Sequence, residues 1–221
     1  MKTLFLTVTL SVAAIAFAAC QTATNTNNAT QHSNGNMNGM NHNLMPMNGN
    51  TMNHNGMMNQ SDMKSSPNAA SQPFDLQFID TMTGHHKSAI DMAKMAVEKT
   101  QNAELKAFAQ KIISDQNKET AQMKDWREKW FTGKPSAMNM EMSGMMSSMP
   151  DMKKLETASG KEFDLAFLEG MIPHHAGAVQ MAKDALTKTE KPEIKTLAQN
   201  IIKAQEEEIK KMQTWKTAWN K

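Results

Sequence analysis

Residues 74–99 read FDLQFIDTMTGHHKSAIDMAKMAVEK, and residues 163–188 read FDLAFLEGMIPHHAGAVQMAKDALTK. They open the two copies of an internal repeat. Residues 74–130 align on 163–219 without a gap, at an offset of 89, with 25 identities in 57 positions. Met82, the pair His85-His86, Met92, Met123, Trp126 and Trp130 find counterparts in Met171, His174-His175, Met181, Met212, Trp215 and Trp219. A repeat of this length is one supersecondary unit copied. In the first copy Phe78, Met82, His85, Ala89, Met92 and Ala96 follow the i, i+3, i+4, i+7 spacing of one helix face. After a polar turn near Gln101 to Ala103, the pattern resumes with Leu105, Phe108, Ile112, Gln116, Met123 and Trp126. In the second copy Pro192 opens the returning helix, a position where proline is tolerated. Strand signals are absent. The expected fold is all-α: a four-helix bundle of two helical hairpins, each helix of roughly 25 residues or about 37 Å.

Outward from the repeats, the chain changes character. Residues 1–20 read as a lipoprotein signal peptide: Lys2, an apolar run from Leu4 to Phe17, then Ala18-Ala19 and Cys20, the one cysteine in 221 residues. The run is short for a membrane span. Phe17 stands where lipobox motifs usually carry Leu, Val or Ile. A lipid on Cys20 would anchor the protein to a membrane, facing the periplasm, with the outer membrane favoured over the inner. Residues 21–73 are rich in Asn, Met and His without apolar periodicity and are expected to be disordered. Residues 131–162 form a Met-rich linker with Gly133, Pro135, Gly144 and Pro150, expected to build no core.

Fifteen of the 23 methionines fall in these two segments, which carry almost no Leu, Ile, Val or Phe. That selects for the thioether rather than for hydrophobicity. Met40, His42, Met52, His54, Met57, Met58, Met138, Met140, Met142, Met145, Met146 and Met149 are the candidates for low-affinity metal capture. Within the repeats, Met82, His85 and His86 share a helix face. Folding the first hairpin about residue 102 sets position i against position 205 − i, which brings Met82 opposite Met123 and Phe78 near Trp126. The second hairpin offers Met171, His174, His175 and Met212 in the same way. Thioethers favour Cu(I), imidazole also suits copper, and Ag(I) shares the soft preference. Met92, Met95 and Met181 read first as core or boundary packing, and Met123 and Met212 equally as packing or as ligands. Tryptophans at the hairpin ends read as packing anchors. Gly84 and Pro173 occupy equivalent positions before the histidine pairs; Pro173 either kinks a helix or begins one.

The motif Met-Ile-Pro-His-His-x-x-Ala-x-x-Met-Ala at Met171 to Ala182, preceded by Phe-Asp-x-x-Phe, resembles the bacterial family known as domain of unknown function 305. The first repeat departs from it, with Thr83-Gly84 in place of Ile-Pro. The resemblance implies a ferritin-like four-helix bundle and copper handling outside the cytoplasm. It implies Met171, His174, His175 and Met181 as metal residues, with Met82, His85, His86 and Met92 as their repeat counterparts.

Other functions find less support. Net charge is +2 with both signs mixed, so nucleic acid is not an expected partner. No phosphate loop, Ser-His-Asp grouping or Glu-x-x-His pair is present, and only Asp80 and Glu169 suggest inward carboxylates, so an enzyme is not expected. The leading expectation is a copper-binding lipoprotein of the bacterial cell envelope that sequesters Cu(I) or passes it to a transfer partner. The alternatives are an envelope protein that docks a partner through Met-rich surfaces, and a metal-dependent oxidase.

Overall fold

A computed structural model describes residues 64–221. It contains α1 (Phe74–Lys99), α2 (Ala103–Phe131), α3 (Met152–Thr157), α4 (Gly160–Lys188) and α5 (Pro192–Trp219). No strand occurs among the described residues.

The hairpin turns follow from local chemistry. Both are built on a buried threonine: Thr100 Oγ1 accepts the Asn102 amide at 3.0 Å, and Thr189 Oγ1 accepts the Lys191 amide at 3.1 Å. Asn102 then caps α2 by accepting the Glu104 and Leu105 amides. In the second copy Pro192 stands at the start of α5, where its missing N–H costs nothing. The helix α4 runs through Pro173 without a break, so Pro173 lies inside a helix rather than beginning one.

Each hairpin packs on itself, α1 on α2 and α4 on α5, and the hairpins meet through α1 and α4. Two apolar clusters fix the direction of that contact. The first joins the second half of α1 (Ala89 to Ala96) and the start of α2 to the first half of α4 (Phe163 to Met171) and the end of α5. The second joins the start of α1 (Phe78 to Met82) and Met123 to the end of α4 (Ala178 to Ala185) and the start of α5. Early residues of one helix meet late residues of the other, so α1 and α4 are antiparallel. Both histidine pairs fall between the two clusters along their helices.

The linker departs from expectation. Met140, Met145, Ala137 and Leu155 are buried, and among the described residues Met146 is the one exposed large hydrophobic side chain, at 66%. Residues 146–148 form a 3-10 turn, and residues 152–157 form α3. The physical reason is that α1 supplies partners for the linker backbone. Asp80 accepts the Ala137 amide, Thr81 accepts the Asn139 amide, and Gln77 accepts the Asn139 side chain. Arg127 grips Asp80 and three carbonyls, those of Phe131, Lys134 and Pro135. With its donors satisfied, the segment can bury flexible methionines at roughly 1.5–3 kcal/mol each. Breaker residues then serve close approach. Gly144, at φ +83°, crosses Gly177 of α4 so tightly that a Cβ on Gly144 would sit 2.5 Å from the Gly177 carbonyl oxygen.

Candidate metal centre

That crossing sets Ser148 over the middle of the bundle. The Ser148 hydroxyl donates to the Met145 carbonyl at 2.9 Å and lies 3.1 Å from His85 Nε2. While it donates to Met145, the hydroxyl can accept a proton from His85 Nε2. Across the hairpin interface the His85 and His174 rings lie against each other, centroids 3.8 Å apart and planes tilted by 38°. Both side chains are buried, and His85 Nδ1, His174 Nδ1 and His174 Nε2 have no hydrogen-bond partner. Burial, reinforced by the neighbouring imidazoles, pushes both His85 and His174 well below 6.5. They are neutral at pH 7, the form that binds metals.

The second member of each pair faces a carboxylate on its partner helix. His86 Nε2 is 2.7 Å from Glu119 Oε2, and His175 Nε2 is 2.9 Å from Glu208 Oε2. Burial pushes the Glu208 carboxyl up, but His175 and Lys111 outweigh it and hold the group below the ordinary value. Asp80 and Glu169, the acids expected to face inward, do other work. Asp80 anchors Arg127 and the linker, and Glu169 pairs with Lys154 on an exposed part of α4. The true inward acids were open to discovery by the rule that sets i against 205 − i, which places Glu119 opposite His86; a search along single helices for Glu-x-x-His misses them.

The thioethers bracket this layer. Met82, Met123 and Met181 lie buried in one apolar cluster, while Met92, Met171 and Met212 lie buried in the other. The expected pairings of Met82 with Met123 and of Met171 with Met212 are therefore each within one cluster. The repeat pattern sets each histidine pair within its own hairpin; in the structure His85 also meets His174 across the repeats. Met140 and Met145 join the Met82 cluster, with Met138, Met142 and Met149 packed against it half-buried. Met138 fills the space that Gly84 leaves, its Sδ 3.2 Å from where a Cβ would stand. The tryptophans stack in pairs, Trp126 on Trp130 and Trp215 on Trp219, and Lys191 and Lys211 occupy their faces. Cys20, Met40, His42, Met52, His54, Met57 and Met58 lie outside the described residues.

Among the described residues no three His, Cys, Asp or Glu side chains gather to hold a metal ion. Dry, neutral imidazoles with unpartnered nitrogens and thioethers on either side fit a soft ion.

Fold and site together define a helical bundle of the Met/His type, built from a duplicated hairpin. The chain belongs to the family described as Domain of unknown function (DUF305), whose model matches residues 16–127 and 128–216. It is similar to CopM in the Cu(II)-bound form, at 44% identity and a TM-score of 0.59 over 66% of this chain and 97% of that one. CopM in the Cu(I)-bound form gives 42% and 0.57, with 66% and 96% of the two chains covered. A putative secreted DUF305 protein from Streptomyces coelicolor gives 29% and 0.60, covering 67% of this chain and 94% of its own. A curated relative, uncharacterized protein L153 of Acanthamoeba polyphaga mimivirus, is 47% identical over 49 residues. That match spans 22% of this chain and about a third (32%) of the relative.

Proposed function

We propose that this protein binds copper, chiefly Cu(I), and also Ag(I), at a centre shared by its two hairpins. The carrying observation is the buried His85–His174 contact, whose unpartnered nitrogens lie between two apolar clusters that each hold buried methionines. The similarity to CopM supports the same reading, since that protein's structures include Cu(I)-, Cu(II)- and Ag-bound forms. Copper is cargo here, held or handed to a transfer partner, and no substrate is turned over. A lipid on Cys20 fixes the protein in the bacterial cell envelope, facing the periplasm. Docking of a partner through Met-rich surfaces is less well supported, because the described methionines other than Met146 are buried or half-buried.

The test is a Cu(I) titration against a competing chromophoric chelator. It compares residues 21–221, residues 64–221, and the longer form with His85, His86, His174 and His175 all changed to Gln. The shorter form starts at 64 because Ser65 and Ser66 bond the linker backbone. Tight competition by both wild-type forms, lost by at least tenfold in the Gln variant, is expected. Equal binding by the variant would refute the shared centre. Oxygen uptake in the presence of Cu(I) is expected to stay at background. Labelling with radioactive palmitate should mark the wild type and spare Cys20→Ser.

A further inference from the structure

Between residues 114 and 125 the repeat is nearly erased. Comparison with 203–214 leaves three identities: Gln116 with Gln205, Glu119 with Glu208, and Met123 with Met212. Their spacing of three and four residues is one helix face. That face looks at the histidine-bearing helix of its own hairpin, where Glu119 meets His86 and Glu208 meets His175. An ionised carboxylate only accepts, so each bond requires a proton on the imidazole Nε2. The neutral ring then has its lone pair on Nδ1. In both residues Nδ1 is buried and has no partner. Lys111 of the other hairpin holds the second oxygen of Glu208 at 3.2 Å, fixing the carboxylate that fixes the ring.

Resting on the copper reading above, we infer that Glu119 and Glu208 are positioning residues for the metal: they lock His86 and His175 in the Nε2–H tautomer and present Nδ1 as the donor atom. A ligating histidine commonly gives its other N–H to a carboxylate, which orients the ring and raises its basicity. Here the same arrangement occurs twice, once per hairpin.

The experiment uses the full mature chain, residues 21–221, and three variants: Glu119→Gln, Glu208→Gln and the double. Gln matches Glu in shape and can donate as well as accept, so it releases the tautomer while keeping the packing. Two-bond proton–nitrogen correlation NMR of the metal-free protein at pH 7.5 reads the tautomer of each histidine. The wild type should show His86 and His175 protonated at Nε2. Each single variant should show a mixture, or a bare Nε2, at its own histidine alone. Added Ag(I) should shift Nδ1 of both residues and leave the Nε2 proton in place. Chelator competition should show a 10–100-fold loss of Cu(I) affinity in the double variant. An Nδ1–H tautomer in the wild type, or a double variant that binds as tightly as wild type, overturns the inference and leaves the copper reading standing. A wild type that ignores Cu(I) and Ag(I) overturns both. A purely structural role would lower the melting temperature without moving the tautomer or the metal shift.

Discussion

Leucine in place of His174 is expected to stabilise the metal-free protein while weakening its hold on Cu(I). The His174 ring is buried, and neither of its nitrogens has a partner. One carries a proton and the other a lone pair, so one donor and one acceptor are dry and unsatisfied. Each such group costs about 1–3 kcal/mol. Leucine removes both, and its different shape costs less than about 1.5 kcal/mol. The net gain should be about 0.5–6 kcal/mol. For a unit of about 150 residues that is a rise in Tm of roughly 2–20 °C. The assay is thermal unfolding followed by circular dichroism, in a copper chelator and then in excess Cu(I). In the chelator, His174→Leu should melt above the wild type. With copper at a hundred times its Kd the wild type should gain about 2.7 kcal/mol, and the variant much less. A variant that melts lower than wild type without metal would refute the reasoning, since it would mean that His174 is satisfied and packed for stability.

Stability of the metal-free protein should also fall in mild acid. Burial and the neighbouring imidazoles hold His85 and His174 well below 6.5, so below pH 6.5 the unfolded chain takes up protons that the folded one refuses. Stability is full above pH 6.5 and is lost as pH falls toward the folded values, with a slope of up to about 1.4 kcal/mol per pH unit for each group. Urea unfolding at pH 7.5 and 5.5 measures this, and His85→Leu/His174→Leu should flatten the profile. Gly177→Ala should cost about 1–3 kcal/mol, because its Cβ would stand 2.3 Å from both the Gly144 carbonyl oxygen and Ser148 Cβ and lift the linker. Chemical denaturation checks it, and faster proteolysis between residues 139 and 150 should accompany the loss. Gly84→Ala is the contrasting case. Its Cβ meets only the flexible Met138 side chain, and helix propensity favours alanine by about 1 kcal/mol, so the same denaturation should show no loss of stability.

The parts legible in the sequence are those that repeat along one helix or across one turn. The period of Phe78, Met82, His85 and Ala89 gives α1, and the hairpin register gives Met82 with Met123. Carried one step further, that register gives His86 with Glu119. The contact of His85 with His174 could not be read this way, because nothing in either hairpin says which face meets the other. Ser148 was further out of reach. It arrives from a segment whose glycines, prolines and methionines resemble solvated chain, and it docks because Asp80, Thr81 and Gln77 answer its neighbours' backbone donors. Glycine there marks close contact with α4 rather than freedom, and methionine serves as filling where Leu would ordinarily stand.

His85 and His174 are the same position in the two copies, and they touch each other. In an assembly of identical subunits, a residue that meets its own copy lies on the two-fold axis. The bundle thus has the geometry of an isologous dimer whose subunits have been joined in one chain. In a true dimer every change on the axis would alter both imidazoles at once. Joining them lets the two sides diverge, and they have: the linker that connects them gives Ser148 to His85 and leaves His174 with no hydrogen-bond partner. A centre that began as two equivalent halves therefore has one ring hydrogen-bonded to the linker and one held by packing alone.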